Sequence, residues 1–419
     1  MRLPYPIQRF ARNVFYPGRS VKYSVALLQR LPTLLQSRWS LLAGYLLLAV
    51  IASVQQWFLS QAVDPSDPYT HYNNYVIYRR SFAHLVGQQE LYTLYLDEHW
   101  DYFRYSPSFA LAFGILAWMP DLPGLLLWNI LNVSVLFLAW WMLPVPDRRV
   151  TIAAGWFVAI EVMTALQNSQ SNVLLAGLLI LAFCLLERRQ VAAATLMIVI
   201  AAFTKLFGLV AFSLFLLYPQ KPKFILYSAL WGVLIGLLPL LAVPPAQLVR
   251  LYQSWWRLLS IDYGQSAGLS VMAWLQSWFR IAPSNSIVAL VGIVLFCWPL
   301  LNVRRYRHFA FRLLFLCNIL IWVVIFNHKA ESSSYIIAMA GVALWYFSQQ
   351  PTRLNTGLAW LAFVFTSLSP TDIFPRALSV ALFVPYAIKA VPCILIWSKV
   401  TYELVTGRYK QVEHVRSTI

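Results

Sequence analysis

Charged side chains are scarce in this chain. They make up 11% of its 419 residues, whereas soluble domains carry roughly 25%. Hydrophobic residues account for 60%, so the chain cannot cover itself with a solvated surface. No hydrophilic stretch is long enough to form a separate soluble domain. We therefore predict one all-α domain over residues 1–419, folded as a polytopic transmembrane helical bundle.

Acidic residues are the scarcer charge type, with 15 Asp and Glu against 32 Lys and Arg. The basic residues are scattered between apolar runs and form no single patch, which argues against a nucleic-acid partner and favours membrane lipids. The four cysteines lie in apolar runs without CxxC or Cys/His spacing, so we predict no metal site and no cofactor. The sequence also lacks Walker A and HExxH motifs, and the missing Walker A loop argues against ATP hydrolysis by this chain.

Apolar runs of suitable length occur throughout the chain, and a helical span needs about 20 such residues. Segments 106–119 and 269–281 are short for a crossing, and segment 191–218 is long and interrupted at Lys205. We predict about 10–13 membrane helices, with 106–119 failing to cross fully and 191–218 forming a hairpin that turns at Lys205. The clear candidate spans lie near 41–59, 123–143, 150–166, 172–186, 224–243, 286–302, 310–326, 333–347, 354–369 and 375–397.

The distribution of Lys and Arg predicts the orientation. Residues 1–40 carry seven basic residues and no acid, so this segment and the tail 398–419 are expected in the cytoplasm. The first apolar run begins near Leu41, so we do not expect a cleaved signal peptide. We predict a multi-pass plasma (inner) membrane protein whose first outer loop is 60–105. Ten of the 15 acids then fall outside: Asp64, Asp67, Glu90, Asp97, Glu98, Asp101, Asp121, Asp262, Glu331 and Asp372.

The first outer loop begins with an amphipathic pattern. Tyr75, Tyr78, Phe82 and Val86 recur at helical spacing, which predicts a helix in the interface plane with its aromatic residues at headgroup level.

Titratable groups cluster later in the same loop. Asp97, Glu98, His99 and Asp101 lie within five residues and are followed by Arg104. A carboxylate near a sugar hydroxyl can accept its proton as a glycosidic bond forms, and an arginine can hold a phosphate. The alternative interpretation is a solvated acidic loop.

Polar groups also interrupt the apolar runs, where they are costly and often functional. Lys205 is either an ammonium that awaits an anionic ligand or a side chain that snorkels to the interface. The run 167-QNSQSN-172 suits contact with sugar hydroxyls, or is simply a turn and helix cap. Segment 327-NHKAESSSY-335 places His328, Lys329 and Glu331 between two spans.

Several segments together resemble glycosyltransferase family 87 of the GT-C superfamily. The resemblance runs from about Leu41 to Phe347. It rests on the order and spacing of 87-GQQELY-92, 104-RYSPSFALAFG-114, 124-GLLLWNILN-132, 170-QSN-172, 204-TKLFGLVAF-212, 270-SVMAWLQSWF-279 and 327-NHKAESSSY-335.

The resemblance implies a hexosyltransferase, typically a mannosyltransferase. Its donor is a sugar on a polyprenyl phosphate, and its acceptor is a lipid or glycan whose hydroxyl attacks the anomeric carbon with inversion. A first-loop carboxylate acts as the base, and neither a nucleotide sugar nor a metal is required. The substrate contacts implied here are Asn73, His99, Arg104, Tyr105, Gln170, Asn172, Lys205, His328 and Lys329.

One position departs from the family pattern. The family commonly has an Asp about fourteen residues before the glycine of the first-loop motif, and counting back from Gly87 reaches Asn73. An amide cannot serve as a base, so another acid is expected to act. We rank Asp101 first, Asp67 second and Glu98 third. A transporter or flippase, or a noncatalytic subunit of a glycan-assembly complex, remains as an alternative.

Overall fold

A computed structural model describes residues 33–62, 69–262 and 267–409 of the chain. Within these ranges every regular element is helical, and none is a strand. The predicted all-α class is therefore confirmed. Asp67, the second candidate base, lies outside the described residues.

The first part of the described chain forms nine α-helices that run from the first long helix to Lys205. They are α1 (Arg38–Gln61), α2 (Asn73–Val86), α3 (Pro107–Ala112), α4 (Gly114–Ala117), α5 (Asp121–Met142), α6 (Arg148–Phe157), α7 (Ala159–Gln167), α8 (Asn172–Glu187) and α9 (Val191–Thr204).

The second part begins with a 3₁₀ helix, Leu206–Leu217, and includes π-helical segments at Phe363–Leu368 and Ser379–Phe383. Its α-helices are α10 (Lys221–Leu237), α11 (Pro245–Asp262), α12 (Val271–Phe279), α13 (Asn285–Cys297), α14 (Phe309–Ile325), α15 (Tyr335–Phe347), α16 (Arg353–Ala362), α17 (Arg376–Leu378) and α18 (Val391–Thr406).

The helical bundle is that of a membrane protein, although its spans are less regular than the apolar runs predicted. Three helices in the described chain are long and apolar enough to cross a membrane: Arg38–Gln61, Asp121–Met142 and Lys221–Leu241. The pair α6 and α7, bent by 47°, adds a fourth if it forms one broken span. Six further apolar helical segments of 10–17 residues complete the bundle.

Helices α8 and α15 form the centre of the bundle. All residues of α15 are buried, as are all residues of α8 except its last, Glu187. A helix that is apolar on every side is stable only when other elements surround it. By contrast, α10 buries only Phe224, as expected for a helix that faces lipid.

The predicted breaks in the apolar runs are confirmed. Segment 106–119 forms the two short helices α3 and α4 rather than one span. The chain is extended at Lys205, and the 3₁₀ helix then packs back against α9. Gly208 permits this close approach, because a Cβ there would collide with the backbone of Ala202.

The first-loop helix is also present as α2, but its aromatic face is not at the lipid surface. Tyr75 and Tyr78 are buried inside the bundle. Tyr75 packs edge-on against Phe113, and Tyr78 packs edge-on against Phe109. The loop is therefore attached to the helices by its aromatic residues, and the prediction that these residues lie at headgroup level is wrong for both tyrosines.

The long axis of the bundle separates two polar ends. Helix α8 starts at Asn172 and ends at Glu187, a length of about 24 Å at 1.5 Å per residue. Helix α14 runs the other way, from Phe309 to Ile325. We call the end that contains Asn172 the Lys205 end, and the opposite end the Glu187 end.

Candidate active site

A polar turn between α7 and α8 carries Gln170 and Asn172. Ser169 has a φ of 53° in this turn, and its carbonyl accepts a hydrogen bond from the Trp128 indole at 2.9 Å. The side chains of Gln170 and Asn172 are buried. Buried amides require hydrogen-bond partners, and the Asn172 Nδ2 group donates to Gln170 Oε1 at 3.0 Å.

Lys205 lies directly against these two amides. Its Nζ donates to Gln170 Oε1 at 2.7 Å and to Asn172 Oδ1 at 3.0 Å. The same nitrogen lies 5.6 Å from the centre of the Tyr105 ring and 5.7 Å from that of Phe207. Within the described part of the chain no carboxylate lies within ion-pair distance of Lys205, so its charge is held by neutral oxygens and ring faces.

Glu331 joins this group from the turn before α15. Its Oε2 accepts a hydrogen bond from Gln170 Nε2 at 2.6 Å, and Asn172 Nδ2 also reaches Ser333 Oγ at 3.4 Å. Gln170 therefore connects the lysine to the carboxylate. Glu331 is exposed, which leaves the carboxylate open to a ligand. We call Gln170, Asn172, Lys205 and Glu331 the inner polar cluster.

Two tyrosines connect the first loop to the inner polar cluster. The hydroxyls of Tyr78 and Tyr105 are 2.5 Å apart, and Ser171 Oγ lies 3.5 Å from the Tyr105 hydroxyl. Burial raises the pKa of Tyr78 well above its ordinary value, and the Tyr105 hydroxyl and Glu331 carboxylate act in the same direction. Tyr78 is therefore a neutral hydroxyl close to the carboxylate.

The first candidate base, Asp101, is held by its own loop. Its Oδ2 accepts a hydrogen bond from Arg104 at 2.6 Å, and its Oδ1 accepts one from the Tyr102 amide at 2.8 Å. The Asp101 side chain remains 47% exposed. Both oxygens already have a donor, and none of these bonds reaches the inner polar cluster.

Glu98 is likewise held within the loop. Its Oε2 lies 3.1 Å from His84 Nε2 and 3.6 Å from Arg80 Nε. The His84 ring stacks on Tyr95 with centroids 4.0 Å apart. Burial lowers the pKa of His84, against an opposite effect of Glu98. These contacts fold the end of α2 against the following turn.

Asn73 and His99 also stabilise the loop. The Asn73 Oδ1 accepts a hydrogen bond from the Trp100 amide at 3.2 Å, so it fixes the turn that carries the acids. His99 is buried, and this burial lowers its pKa. Asn73 thus takes a structural part at the position where the family pattern has an acid.

His328 and Lys329 lie in the turn between α14 and Glu331. The Lys329 amide donates to Asn327 Oδ1 at 3.0 Å. Segment 267–270 packs against this turn, and the Leu269 amide donates to the Ala330 carbonyl at 2.7 Å. A Cβ on Gly268, whose φ is 53°, would lie 2.7 Å from the His328 carbonyl oxygen. The two basic residues are thereby placed at the Lys205 end.

Apart from His328 and Lys329 in the turn before Glu331, the structure divides the predicted site residues that it describes into two groups. Tyr105, Gln170, Asn172 and Lys205 lie together, whereas Asp101, Glu98, Arg104, Asn73 and His99 interact within the first loop. Glu331 and Tyr78 were not among the predicted site residues. A signal was available for Glu331, because it is one of the acids predicted on the outer side and shares its turn with His328.

A second buried pair lies away from this site. Lys389 Nζ lies 2.8 Å from Glu161 Oε1, and both side chains are almost fully buried. Thr366 Oγ1 donates to the Lys389 carbonyl at 2.9 Å. Each charge therefore has its partner inside the bundle, as intramembrane charges require.

The fold and the inner polar cluster define a helical membrane protein with a polar site at one end of its bundle. Residues 103–326 match the profile of glycosyltransferase family 87. This match covers more than half of the chain, so the chain belongs to that family and is a glycosyltransferase. No curated protein matches the chain. The matched range includes Gln170, Asn172 and Lys205, but neither Asp101 nor Glu331.

Proposed function

We propose that this glycosyltransferase moves a hexose, specifically mannose, from a polyprenyl-phosphate donor to a hydroxyl of a lipid-linked or glycan acceptor. The transfer inverts the anomeric carbon and occurs at the outer face of the membrane. The observation that carries the proposal is the contact of Lys205 with two amide oxygens beside the carboxylate of Glu331.

Lys205 supplies the positive charge for the donor phosphate. An ammonium group has three donor hydrogens, and two of those on Lys205 are used by Gln170 and Asn172. The third is available for a phosphate oxygen. Negative charge develops on the leaving polyprenyl phosphate as the glycosidic bond breaks, and a fixed ammonium in a site of low dielectric constant stabilises that charge.

The base must be a carboxylate that the acceptor hydroxyl can reach. Asp101 is the base that sequence analysis favours, but both of its oxygens hold a donor from the first loop. Glu331 holds Gln170 through Oε2 alone, so its Oε1 is open to an acceptor. We therefore place Glu331 ahead of Asp101 as the group that accepts the proton.

The position of the cluster favours an enzyme over a transporter. A transporter requires polar groups along a path to both ends of the bundle. Between Asn172 and Glu187, helix α8 presents apolar residues and one cysteine, all buried. The buried side chains of Glu161 and Lys389 are paired with each other.

The test is sugar transfer by the purified protein in lipid nanodiscs. Radiolabelled polyprenyl-phosphate mannose, polyprenyl-phosphate glucose and GDP-mannose are supplied separately with a membrane lipid extract as acceptor. We expect product from the mannosyl lipid alone, formed about 100- to 1,000-fold more slowly by Lys205→Met. Product from GDP-mannose but not from either lipid donor would contradict the donor class, and product from the glucosyl lipid alone would change the sugar.

A further inference from the structure

A large basic cavity opens at the Glu187 end of the bundle. Its volume is about 1060 Å³, at the upper end of the roughly 300–1,000 Å³ typical of ligand sites. The last turn of α8, the end of the 3₁₀ helix and the segment before α14 form its walls. Its lining contains five basic side chains and one acidic side chain: Arg189, Lys221, Arg304, Arg307, Arg312 and Glu187.

The single acid of the cavity is already neutralised. Arg312 holds both oxygens of Glu187, at 2.5 Å and 2.8 Å, and the Tyr218 hydroxyl donates to the same carboxylate at 2.6 Å. This bidentate pair is about one-tenth exposed, since the side chains of Arg312 and Glu187 are 14% and 6% exposed. The remaining four cations therefore determine the charge that a ligand meets.

Those four cations are exposed. Arg189, Lys221, Arg304 and Arg307 form no side-chain hydrogen bond or ion pair with the described residues. Their neighbour Arg305 is different, because its guanidinium holds the carbonyls of Leu404, Val405 and Thr406 at 3.0–3.1 Å. The excess of basic residues on the cytoplasmic side of membrane proteins accounts for their charge. It does not account for their convergence on one concave surface.

The rest of the wall is apolar and aromatic. Leu186, Leu216 and Leu217 line the cavity together with Tyr306. A cavity with cations at its mouth and leucines in its wall matches an amphiphile with an anionic head. We propose that this cavity binds a phosphate group, presented as the headgroup of an anionic phospholipid such as phosphatidylglycerol.

The cavity is separate from the candidate active site. Helix α8 connects the two, with Asn172 in the inner polar cluster and Glu187 in the cavity wall. The length of α8 places them about 24 Å apart. The donor phosphate and the phosphate in this cavity are therefore two different ligands at opposite ends of the bundle.

The test measures lipid binding by the full-length protein. The protein is purified in detergent, stripped of lipid and titrated with phosphatidylglycerol or phosphatidylcholine, and bound lipid is counted by native mass spectrometry. The test variant is Arg304→Gln/Arg307→Gln. The matched control is Arg149→Gln/Arg353→Gln, which removes two exposed charges from the same end of the bundle but outside the cavity.

We expect wild type and control to bind phosphatidylglycerol in preference to phosphatidylcholine, and the test variant to bind it about tenfold more weakly. A parallel titration with inorganic phosphate tests whether the cavity recognises a free phosphate ion or a phospholipid headgroup. Competition by millimolar phosphate indicates recognition of the phosphate alone, and no competition indicates recognition of the whole headgroup. Equal weakening in both double variants, or no weakening in either, would overturn the proposal. Arg189→Gln/Lys221→Gln repeats the test should the first variant fail to fold.

Discussion

The first loop and the inner polar cluster are both rich in polar groups, yet they are built in opposite ways. In the loop two acids are held by nearby residues: Asp101 by Arg104 three positions away, and Glu98 by His84. The inner polar cluster joins one turn, which carries Gln170 and Asn172, to Lys205 and Glu331, across 33 and 161 positions of the chain. Charges that are close in sequence stabilise a loop here, whereas distant ones build the candidate site.

The energies of the two regions differ accordingly. The Asp101–Arg104 pair is partly exposed, with 47% and 30% of the side chains accessible. Solvent screens such a pair, and its net contribution to stability is about 0–1 kcal/mol. Asn172 and Gln170 are buried and have satisfied hydrogen bonds. Loss of their partner leaves polar atoms unsatisfied, which costs about 1–3 kcal/mol for each group.

The largest effect is expected for Lys205→Met. The substitution keeps the length of the side chain and removes the ammonium that contacts both amides. Loss of a group that stabilises a developing anion typically lowers kcat by about 100- to 1,000-fold. Mannosyl transfer in nanodiscs measures this loss. Lys223→Met, which removes an exposed lysine near the Glu187 end, is the control and is expected to keep wild-type activity.

Glu331→Gln against Asp101→Asn compares the two regions directly. Each change replaces a carboxylate by an amide of nearly the same size. We expect Glu331→Gln to lower kcat by about 100-fold, because a general base typically contributes 100- to 10,000-fold, and Asp101→Asn to lower it less than about tenfold. The same transfer assay measures both. A larger loss of kcat in Asp101→Asn than in Glu331→Gln would identify Asp101, in the first loop, as the base and would contradict the contrast between the two regions.

The Tyr78–Tyr105 hydrogen bond is the link between the two regions, and a double-mutant cycle tests it. Each single change to Phe leaves a buried hydroxyl without its partner, which costs about 1–3 kcal/mol, while the double change removes both hydroxyls. We therefore expect the double variant to be less destabilised than the sum of the single variants. Thermal unfolding in nanodiscs measures the stability term.

Activity separates this link from a purely structural bond. Because the Tyr105 hydroxyl links Tyr78 to Ser171 beside the inner polar cluster, we expect Tyr105→Phe to lower transfer about tenfold. Tyr45→Phe is the matched control, because the buried Tyr45 hydroxyl donates to the Gly155 carbonyl at 2.9 Å, away from the cluster. If Tyr78→Phe and Tyr105→Phe lose stability but keep wild-type activity, as expected of Tyr45→Phe, the tyrosines only support the fold.

Sequence patterns predicted the architecture where the physical signal is local. The composition predicted a helical membrane protein, and the interruption at Lys205 predicted the turn between α9 and the 3₁₀ helix. The chemistry of 167–172 predicted that Gln170 and Asn172 belong to a polar site. In each case, the cost of placing a polar group in an apolar run is visible in the sequence itself.

The partners of the polar groups could not be predicted in the same way. Nothing in the local sequence shows that Gln170 reaches Glu331, because the bond depends on how α7, α8 and α15 pack. The cluster of charges at 97–104 is evident in the sequence, and it led to the prediction that Asp101 is the base. Its pairing with Arg104 follows from the short distance along the chain, and such short-range pairs need no binding site to explain them.

The smallest effect concerns the pH dependence of the first loop. Burial lowers the pKa of His99 below 6.5, so the unfolded chain binds a proton more readily than the folded chain does. The contribution of neutral His99 to stability is therefore present above about pH 6.5 and declines as the pH falls toward its lower folded-state pKa.

We expect the Tm to drop between about pH 7.5 and 5.5, and to drop less in His99→Gln. His308→Gln, which alters a less buried histidine before α14, is expected to keep the wild-type dependence. An identical drop in wild type and His99→Gln would assign the acid sensitivity to other groups and leave His99 as a packing residue of the loop.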